Sequence, residues 1–497
     1  MNTEFPSGEL YFEGRWQKGN GAEIVSTFPA DGSVNMRFCG ASAEDGVRAI
    51  KAAKKALAEP YWRDMLPFQR AKYLYRIAEL IERNTKRISY LQTRDTGKTL
   101  KETSALATSA ANTFRYFAAI LETMDEALTN QRNQNLLTYS MHEPMGVIAA
   151  ITPWNSPIAS DAQKVAPALA AGNAVILKPA SWTPMVSLEL ARIIEESGIP
   201  AGLFSVLPGA GREVGNVLVN HPDVAKVSFT GGTETGIQLA KQAAEKLMPV
   251  SLELGGKSPS IVFDDCNQKV AVAGILYGIF SSSGQSCIAG SRVFVQRSIY
   301  DEFVEKLVSA TRALCVGHPY ETQTQLGPLV DTKHRDSVEH YVALAREEGG
   351  EILCGGERPK GAEFEDGAYY LPTIIGGLNN TARVCQEEIF GPVMVVMPFD
   401  DENDVIEKSN DSVFGLACGI WSKDVGKCWR IAKAIRAGTV WINTYKQFSI
   451  STPFGGQKQS GVGREKGKEG IFAYMQQKAV YQDISGHPLP WADVSLE

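Results

Sequence analysis

From about residue 145 the chain alternates short apolar runs with longer amphipathic ones, and this alternation constrains its fold more than any other feature. The runs "GVIAAITP" (146–153), "AVILKPA" (174–180), "LFSVLP" (203–208) and "KVSFTG" (226–231) are too short for ordinary helices and rich in β-branched and other apolar residues. Between and after them stand "PMVSLELARIIEESG", "REVGNVLVNH" and "TETGIQLAKQAAEKL", with apolar positions at helical spacing. Strands that alternate with helices at this interval predict a doubly wound parallel sheet. A second α/β stretch follows "LELGGKSPSIVF" and runs to about 445, again mixing strands such as "RVFVQ" with helices such as "YDEFVEKLVSATRAL". The predicted fold class is therefore α/β, with two doubly wound α/β lobes.

The rest of the chain fits around these lobes. Residues 44–58 and 65–92 have helical apolar spacing after a short β-like opening, while "QNLLTYSMHEP" (134–144) and "KAVYQDI" (478–484) are strand-like segments outside both lobes. These two could pair with each other or with another subunit. With 497 residues and 44% apolar content, two or three cores can be filled. The 50 basic and 56 acidic residues are interspersed and leave a net charge of −6, which offers no footprint for nucleic acid or an anionic membrane. No apolar run approaches the roughly 20 residues of a membrane span. The opening "MNTEFPSGELYFEGRW" lacks the basic-then-apolar order of a secretory leader, so a cytoplasmic location is expected. The eight cysteines show neither CxxC nor a Cys/His zinc spacing, so free thiols and no metal site are expected.

Three places could carry chemistry. Cys287 lies in "GIFSSSGQSCIAGSRVFV" (278–295), where Gly284, Ser286, Ala289 and Gly290 leave room around a sulfur. It reads either as a small buried hydrophobe or as a nucleophile. Glu253, in "VSLELGGKSP", ends an apolar strand before two glycines. It reads either as a cap or ion-pair partner or as a general base whose pKa an apolar setting would raise. In "FTGGTETG" (229–236) a strand meets Gly-Gly and then a helix, as a phosphate-binding turn requires. "PGAGREVG" (208–215) is one residue too long for GxGxxG and reads as a flanking loop.

Together with "ITPWNSP", "ILKPAS", "LELGGKSP", "GQSCIAGSR", "EEIFGPV" and "PFGGQKQSGVGRE", these segments resemble the NAD(P)-dependent aldehyde dehydrogenase superfamily in its hydrolytic branch, over nearly the whole chain. The resemblance implies a Rossmann-like cofactor lobe (1–122 and 141–254), a catalytic lobe (255–445) and a small β oligomerisation arm (123–140 and 475–497), hence a homodimer or homotetramer. It implies that Cys287 adds to a small-molecule aldehyde, that Asn155 and the Cys287 amide hold the oxyanion, that Glu253 activates water, and that Lys164 and Glu465 relay protons. For NAD or NADP it implies Ile151, Thr152, Pro153, Trp154, Lys178, Ala180, Ser181, Gly211, Gly215, Phe229, Gly231, Gly232, Leu254, Glu388 and Phe390. For the substrate it implies Ser156, Gln163, Ser286, Ile288, Phe448 and Phe454.

Departures from the family pattern sharpen the expectations. Many NAD-preferring relatives carry Glu where this chain has Ser181, so NADP should be accepted. Many read "FTGS", so Gly232 removes a hydroxyl. Ser156 and Gln163 stand where relatives acting on small aliphatic aldehydes or quaternary amines often have aromatics, which suggests a wider, more polar tunnel for a polar or bulky aldehyde of catabolism. Lys446 and Gln447 precede a loop that borders the tunnel mouth in relatives, and Lys446 reads either as an attraction for an anion or as a solvated surface lysine. The competing functions are a CoA-acylating dehydrogenase, against which Glu253 argues, and a cysteine hydrolase or thioesterase without redox turnover.

Overall fold

The computed structural model describes residues 4–488 and 491. Two parallel-strand sheets organise it. In the first, the strands Phe204–Val206, Ala174–Lys178, Val147–Ile151, Val224–Thr230 and Val250–Glu253 run parallel in that spatial order. In chain order this is 3-2-1-4-5, the doubly wound arrangement, and its switch point lies between Val147–Ile151 and Val224–Thr230. The sheet is extended antiparallel at one edge by Leu10–Phe12 and Arg15–Gln17, and at the other by Gly461–Val462. Burial of all five residues of Val147–Ile151 and of Ala174–Lys178 explains their continuous apolar character, since helices cover both faces of such a sheet.

The second sheet is ordered Glu351–Cys354, Thr373–Gly376, Val393–Phe399, Arg292–Gln296, Pro259–Val262, Ala417–Trp421 and Thr439–Ile442. All its pairings are parallel except that of the first two strands. Two apolar clusters fill its two sides, one around Phe263, Val338 and Val395, the other around Ile275, Leu307 and Trp421. The chain passes from Glu253, at the end of a first-sheet strand, through Gly255–Lys257 to the start of Pro259–Val262. Carboxyl ends of the first sheet therefore face amino ends of the second.

Three sequence expectations are corrected in detail. The 65–92 helical stretch is two helices, Pro67–Arg83 and Thr85–Thr96, because Asn84 adopts a non-helical φ of −98° and ψ of 8° and turns its amide onto the Leu80 carbonyl. The first helix, Ala43–Ala58, is held at its start by a capping box from Ser42 and Asp45. "PGAGREVG" is only partly a loop: Gly211–Gly215 forms a π-turn that runs directly into the helix Asn216–Asn220. The two outlying segments pair with each other, Leu136–Pro144 antiparallel to Met475–Asp483, as a separate two-stranded ribbon. That pairing continues to Pro144, so a division at residue 140 would cut through a strand. The ends of the spans assigned above, residues 1–3, 489, 490 and 492–497, lie outside the described residues.

Candidate active site

The facing sheet ends enclose a cavity of about 180 Å³ lined by Pro153, Trp154, Asn155, Thr230, Gly231, Gly232, Glu253, Leu254, Gly255, Cys287, Glu388 and Phe390. It lies beyond the carboxyl ends of Val147–Ile151 and Val224–Thr230, at the switch point where such sheets bind ligands. Cys287 reaches it through an unusual turn. After the helix Gln268–Phe280, Ser282, Ser283 and Gly284 all take positive φ, and a Cβ on Gly284 would overlap the Gly391 carbonyl oxygen. Only glycine fits there, which pins the loop carrying the sulfur. Burial, followed by the carboxylates of Glu388 and Glu253, pushes the thiol up to about 12. The resting sulfur is thus a thiol that needs a base, and its own backbone N–H points at it.

Glu253 lines the same cavity and is the candidate for that base. It is 5% exposed, one carboxyl oxygen has no hydrogen-bond partner, and burial together with the Glu465 charge raises its pKa well above the ordinary carboxylate range. Behind it, Lys164 pairs with Glu465 and donates to Ser228 Oγ at 3.2 Å, while Tyr474 donates to the same Oγ at 3.0 Å. Asn155 Nδ2 donates to the Gln285 carbonyl at 3.0 Å, which ties it to the Cys287 loop and leaves its second N–H for a ligand. Glu388 accepts from the Gly256 N–H at 3.0 Å, and burial raises its pKa to about 7.

A dinucleotide fits the other half of the cleft. Gly231 and Gly232 end the strand and cap the helix Thr233–Ala244, and a Cβ on Gly232 would meet nothing within 4 Å, so the backbone is open to a phosphate. A Cβ on Gly236 would run into Leu254, which explains the close helix packing there. Trp154 and Phe390 stand edge to face at 5.3 Å, with Phe390 at φ +57° and its carbonyl bound by His334 Nε2 at 2.8 Å. No sequence pattern points to His334. Its role comes entirely from the tertiary contact. Lys178 ends its strand with Nζ on the Pro179 carbonyl at 3.2 Å and is depressed by burial to about 8. Ser181 Oγ donates to the Gly209 carbonyl at 2.9 Å, so its proton is engaged within the protein. Ile151, Thr152 and Phe229 are buried at the strand ends, Ala180 follows Lys178, and Gly211 and Gly215 bracket the π-turn, the latter 3.8 Å from the Lys178 side chain by its built Cβ.

The family is decided by comparison with known proteins. The sequence model described as "Aldehyde dehydrogenase family" matches residues 16–480. This chain belongs to the aldehyde dehydrogenase family. It is 38% identical over 488 residues to a betaine aldehyde dehydrogenase of Bacillus subtilis (strain 168), covering 98% of this chain and 99% of that protein. It is 39% identical over 483 residues to the (Z)-2-((N-methylformamido)methylene)-5-hydroxybutyrolactone dehydrogenase of Acinetobacter baylyi, covering 97% and 98%. A crystal structure of betaine aldehyde dehydrogenase from Staphylococcus aureus in complex with NAD+ superposes with a TM-score of 0.96 at 37% identity, over 98% of this chain and 97% of that one. This aldehyde dehydrogenase shares their α/β architecture throughout, and among its described residues no helix is long and apolar enough to cross a membrane.

The residues expected to meet the substrate are less concentrated. Ser156 stands at the N-cap position of the helix Pro157–Ala170 without a side-chain capping bond, and Gln163 lies one i,i+7 step along it, on the same face. Ser286 is half-buried beside Cys287, Ile288 is 5% exposed and packs into the apolar cluster of the second sheet, and neither is among the residues that line the cavity. Phe448 and Phe454 stand edge to face at 5.5 Å, and Phe448 also meets Trp441 at 5.3 Å, so the loop beyond the second sheet carries rings. Lys446 is half-buried: its Nζ donates to Ser281 Oγ at 2.8 Å, and burial depresses it to about 7.

Proposed function

We propose that this aldehyde dehydrogenase oxidises a polar or bulky aldehyde to its carboxylic acid through covalent catalysis at Cys287, with either NAD+ or NADP+. Glu253 takes the thiol proton as Sγ bonds to the aldehyde carbon, and the oxyanion so formed is held by Asn155 Nδ2 and the Cys287 N–H. Bound NAD(P)+ supplies the acceptor for the hydride whose departure turns this adduct into a thioester. Once that first proton has left Glu253, the carboxylate removes a proton from a water, the water oxygen bonds to the acyl carbon, and the C–S bond breaks to release the acid, the sulfur recovering its proton from Glu253. Lys164 and Glu465 pass the excess proton outward. The observation that carries the reading is the unpartnered, buried carboxyl oxygen of Glu253 in the cleft that also holds Cys287. It also favours water over CoA as the acyl acceptor.

Lys178, Ser181, Trp154, Glu388, Phe390 and the Gly231–Gly232 turn are proposed to hold the dinucleotide, and Ser156, Gln163, Phe448 and Phe454 to border the aldehyde. The betaine aldehyde dehydrogenases are the natural comparison for that substrate, although Ser156 and Gln163 argue for a more polar one. The ribbon Leu136–Pro144 with Met475–Asp483 is exposed along most of its second strand, and an open edge of that kind suits pairing in a homodimer or homotetramer. A cytoplasmic enzyme with reduced thiols fits this chemistry. The test is aldehyde-dependent formation of NAD(P)H without CoA, lost in Cys287→Ala; dependence on added CoA would favour an acylating enzyme, and turnover without NAD(P)H a hydrolase.

A further inference from the structure

Two lysines lie within electrostatic reach of Cys287, and one of them stacks on aromatic rings of the kind that a cationic substrate would need. Lys466, 7% exposed, places Nζ 4.0 Å from the centre of the Phe448 ring and 5.3 Å from that of Phe454. Aromatic faces are what recognise a quaternary ammonium, and here they are filled from within the chain. Lys446 donates to Ser281 Oγ at 2.8 Å, and Lys98, 3% exposed, lies within electrostatic reach of it. Lys446 and Lys466 both interact electrostatically with the Cys287 sulfur.

Two further observations separate this cluster from chance surface lysines. Lys446 and Lys466 both sit at positive φ, 53° and 59°, a backbone region lysine seldom adopts, so the surrounding fold holds the backbone at both positions. The negative groups in reach are otherwise occupied. Glu102, which faces Lys98 and Lys446, accepts from the Thr99 cap and from the Ser282 N–H, and Glu465, which faces Lys466, is taken by Lys164. Glu253, also near Lys466, has its pKa raised by burial and by the Glu465 charge. Burial lowers Lys446 to about 7 and both Lys98 and Lys466 to about 8, and a bound anion would draw all three back toward full charge.

We propose that the substrate is an aldehyde that also bears a carboxylate, received by Lys446 and Lys466, and that the same lysines turn away quaternary ammonium aldehydes. The carboxylate takes the place of Ser281 Oγ as the acceptor of the Lys446 ammonium, exchanging a neutral acceptor for a charge-assisted bond. A trimethylammonium group would instead meet Lys466 over the rings of Phe448 and Phe454. This deepens the function proposed above and rests on Cys287 as the nucleophile.

The test compares 4-oxobutanoate, its methyl ester and betaine aldehyde on the full-length enzyme with saturating NAD(P)+. The carboxylate should exceed the ester in kcat/KM by about tenfold or more, with betaine aldehyde lowest, and added salt should shrink the difference. Lys446→Gln should bring the carboxylate-to-ester ratio toward one, Lys446→Arg should keep it, and Lys466→Met should raise the betaine aldehyde-to-ester ratio. Equal use of carboxylate and ester by the wild type, or betaine aldehyde as the best of the three, overturns the proposal. If Cys287→Ala oxidises all three probes as fast as the wild type, the underlying reading fails and this one with it.

Discussion

Lys164 and Glu465, 301 positions apart in the chain, form a buried ion pair within electrostatic reach of Glu253. Lys164 is fully buried and Glu465 is 5% exposed, so neither charge can turn to water if its partner is lost. Lys164→Met should therefore lower the unfolding free energy by about 3–5 kcal/mol, the cost of an uncompensated buried charge. Adding Glu465→Leu should recover part of it. Denaturant midpoints of the two variants measure this, and a stable single variant would show that Glu465 finds another partner.

The same pair sets the acid limb of the pH profile. Burial and then the Glu465 charge hold the Glu253 pKa up, while Lys164 opposes them. A general base works deprotonated, so activity rises as pH climbs through its pKa. Glu465→Gln removes the repulsion, lowers the Glu253 pKa and should move the rising limb of kcat to lower pH, even if the plateau also falls. A limb that stays in place or moves to higher pH would remove Glu253 from the rate-limiting step.

Cofactor choice should respond to Ser181. A glutamate there would accept from ribose hydroxyls but repel a 2′-phosphate near Lys178. Ser181→Glu should reduce the NADP+-to-NAD+ ratio of kcat/KM by roughly tenfold, about 1.4 kcal/mol. An unchanged ratio would place discrimination on another loop.

Gly284 offers a structural test of the cysteine loop. Its φ is +74°, and an added Cβ would overlap the Gly391 carbonyl, which is backbone and cannot rotate away. Gly284→Ala should cost about 1–3 kcal/mol of stability and displace Cys287, so that Tm and kcat fall together. Retained kcat at a lowered Tm would mean that the loop reaches its catalytic position by another route.

What could be read from the sequence divides along physical lines. Strand and helix periodicity is local, so the parallel strands around Val147–Ile151 and the helix after Gly232 are visible in a single stretch of residues. Cys287 and Glu253 stand out because their small neighbours are contiguous with them. Other features depend on which distant loops meet. Lys446 reads as a surface residue until the turn at Ser281 folds against it, and Lys466 is placed only when Phe448 and Phe454 pack against it. Ile288 resembles a pocket residue by position but is buried in the apolar cluster of the second sheet, a contact made by distant segments. Asn84 ends a helix by a side-chain bond to Leu80 that apolar spacing does not register.

The central claim is that Cys287 carries the acyl group and Glu253 removes it with water. Glu253→Gln mixed rapidly with an aldehyde it oxidises and NAD(P)+ tests this most directly. The account predicts a burst of NAD(P)H approaching one per active site, then slow turnover, with intact-mass analysis showing the acyl group retained on the enzyme and absent in Cys287→Ala. Slow NAD(P)H formation with no burst and no retained acyl mass would contradict it.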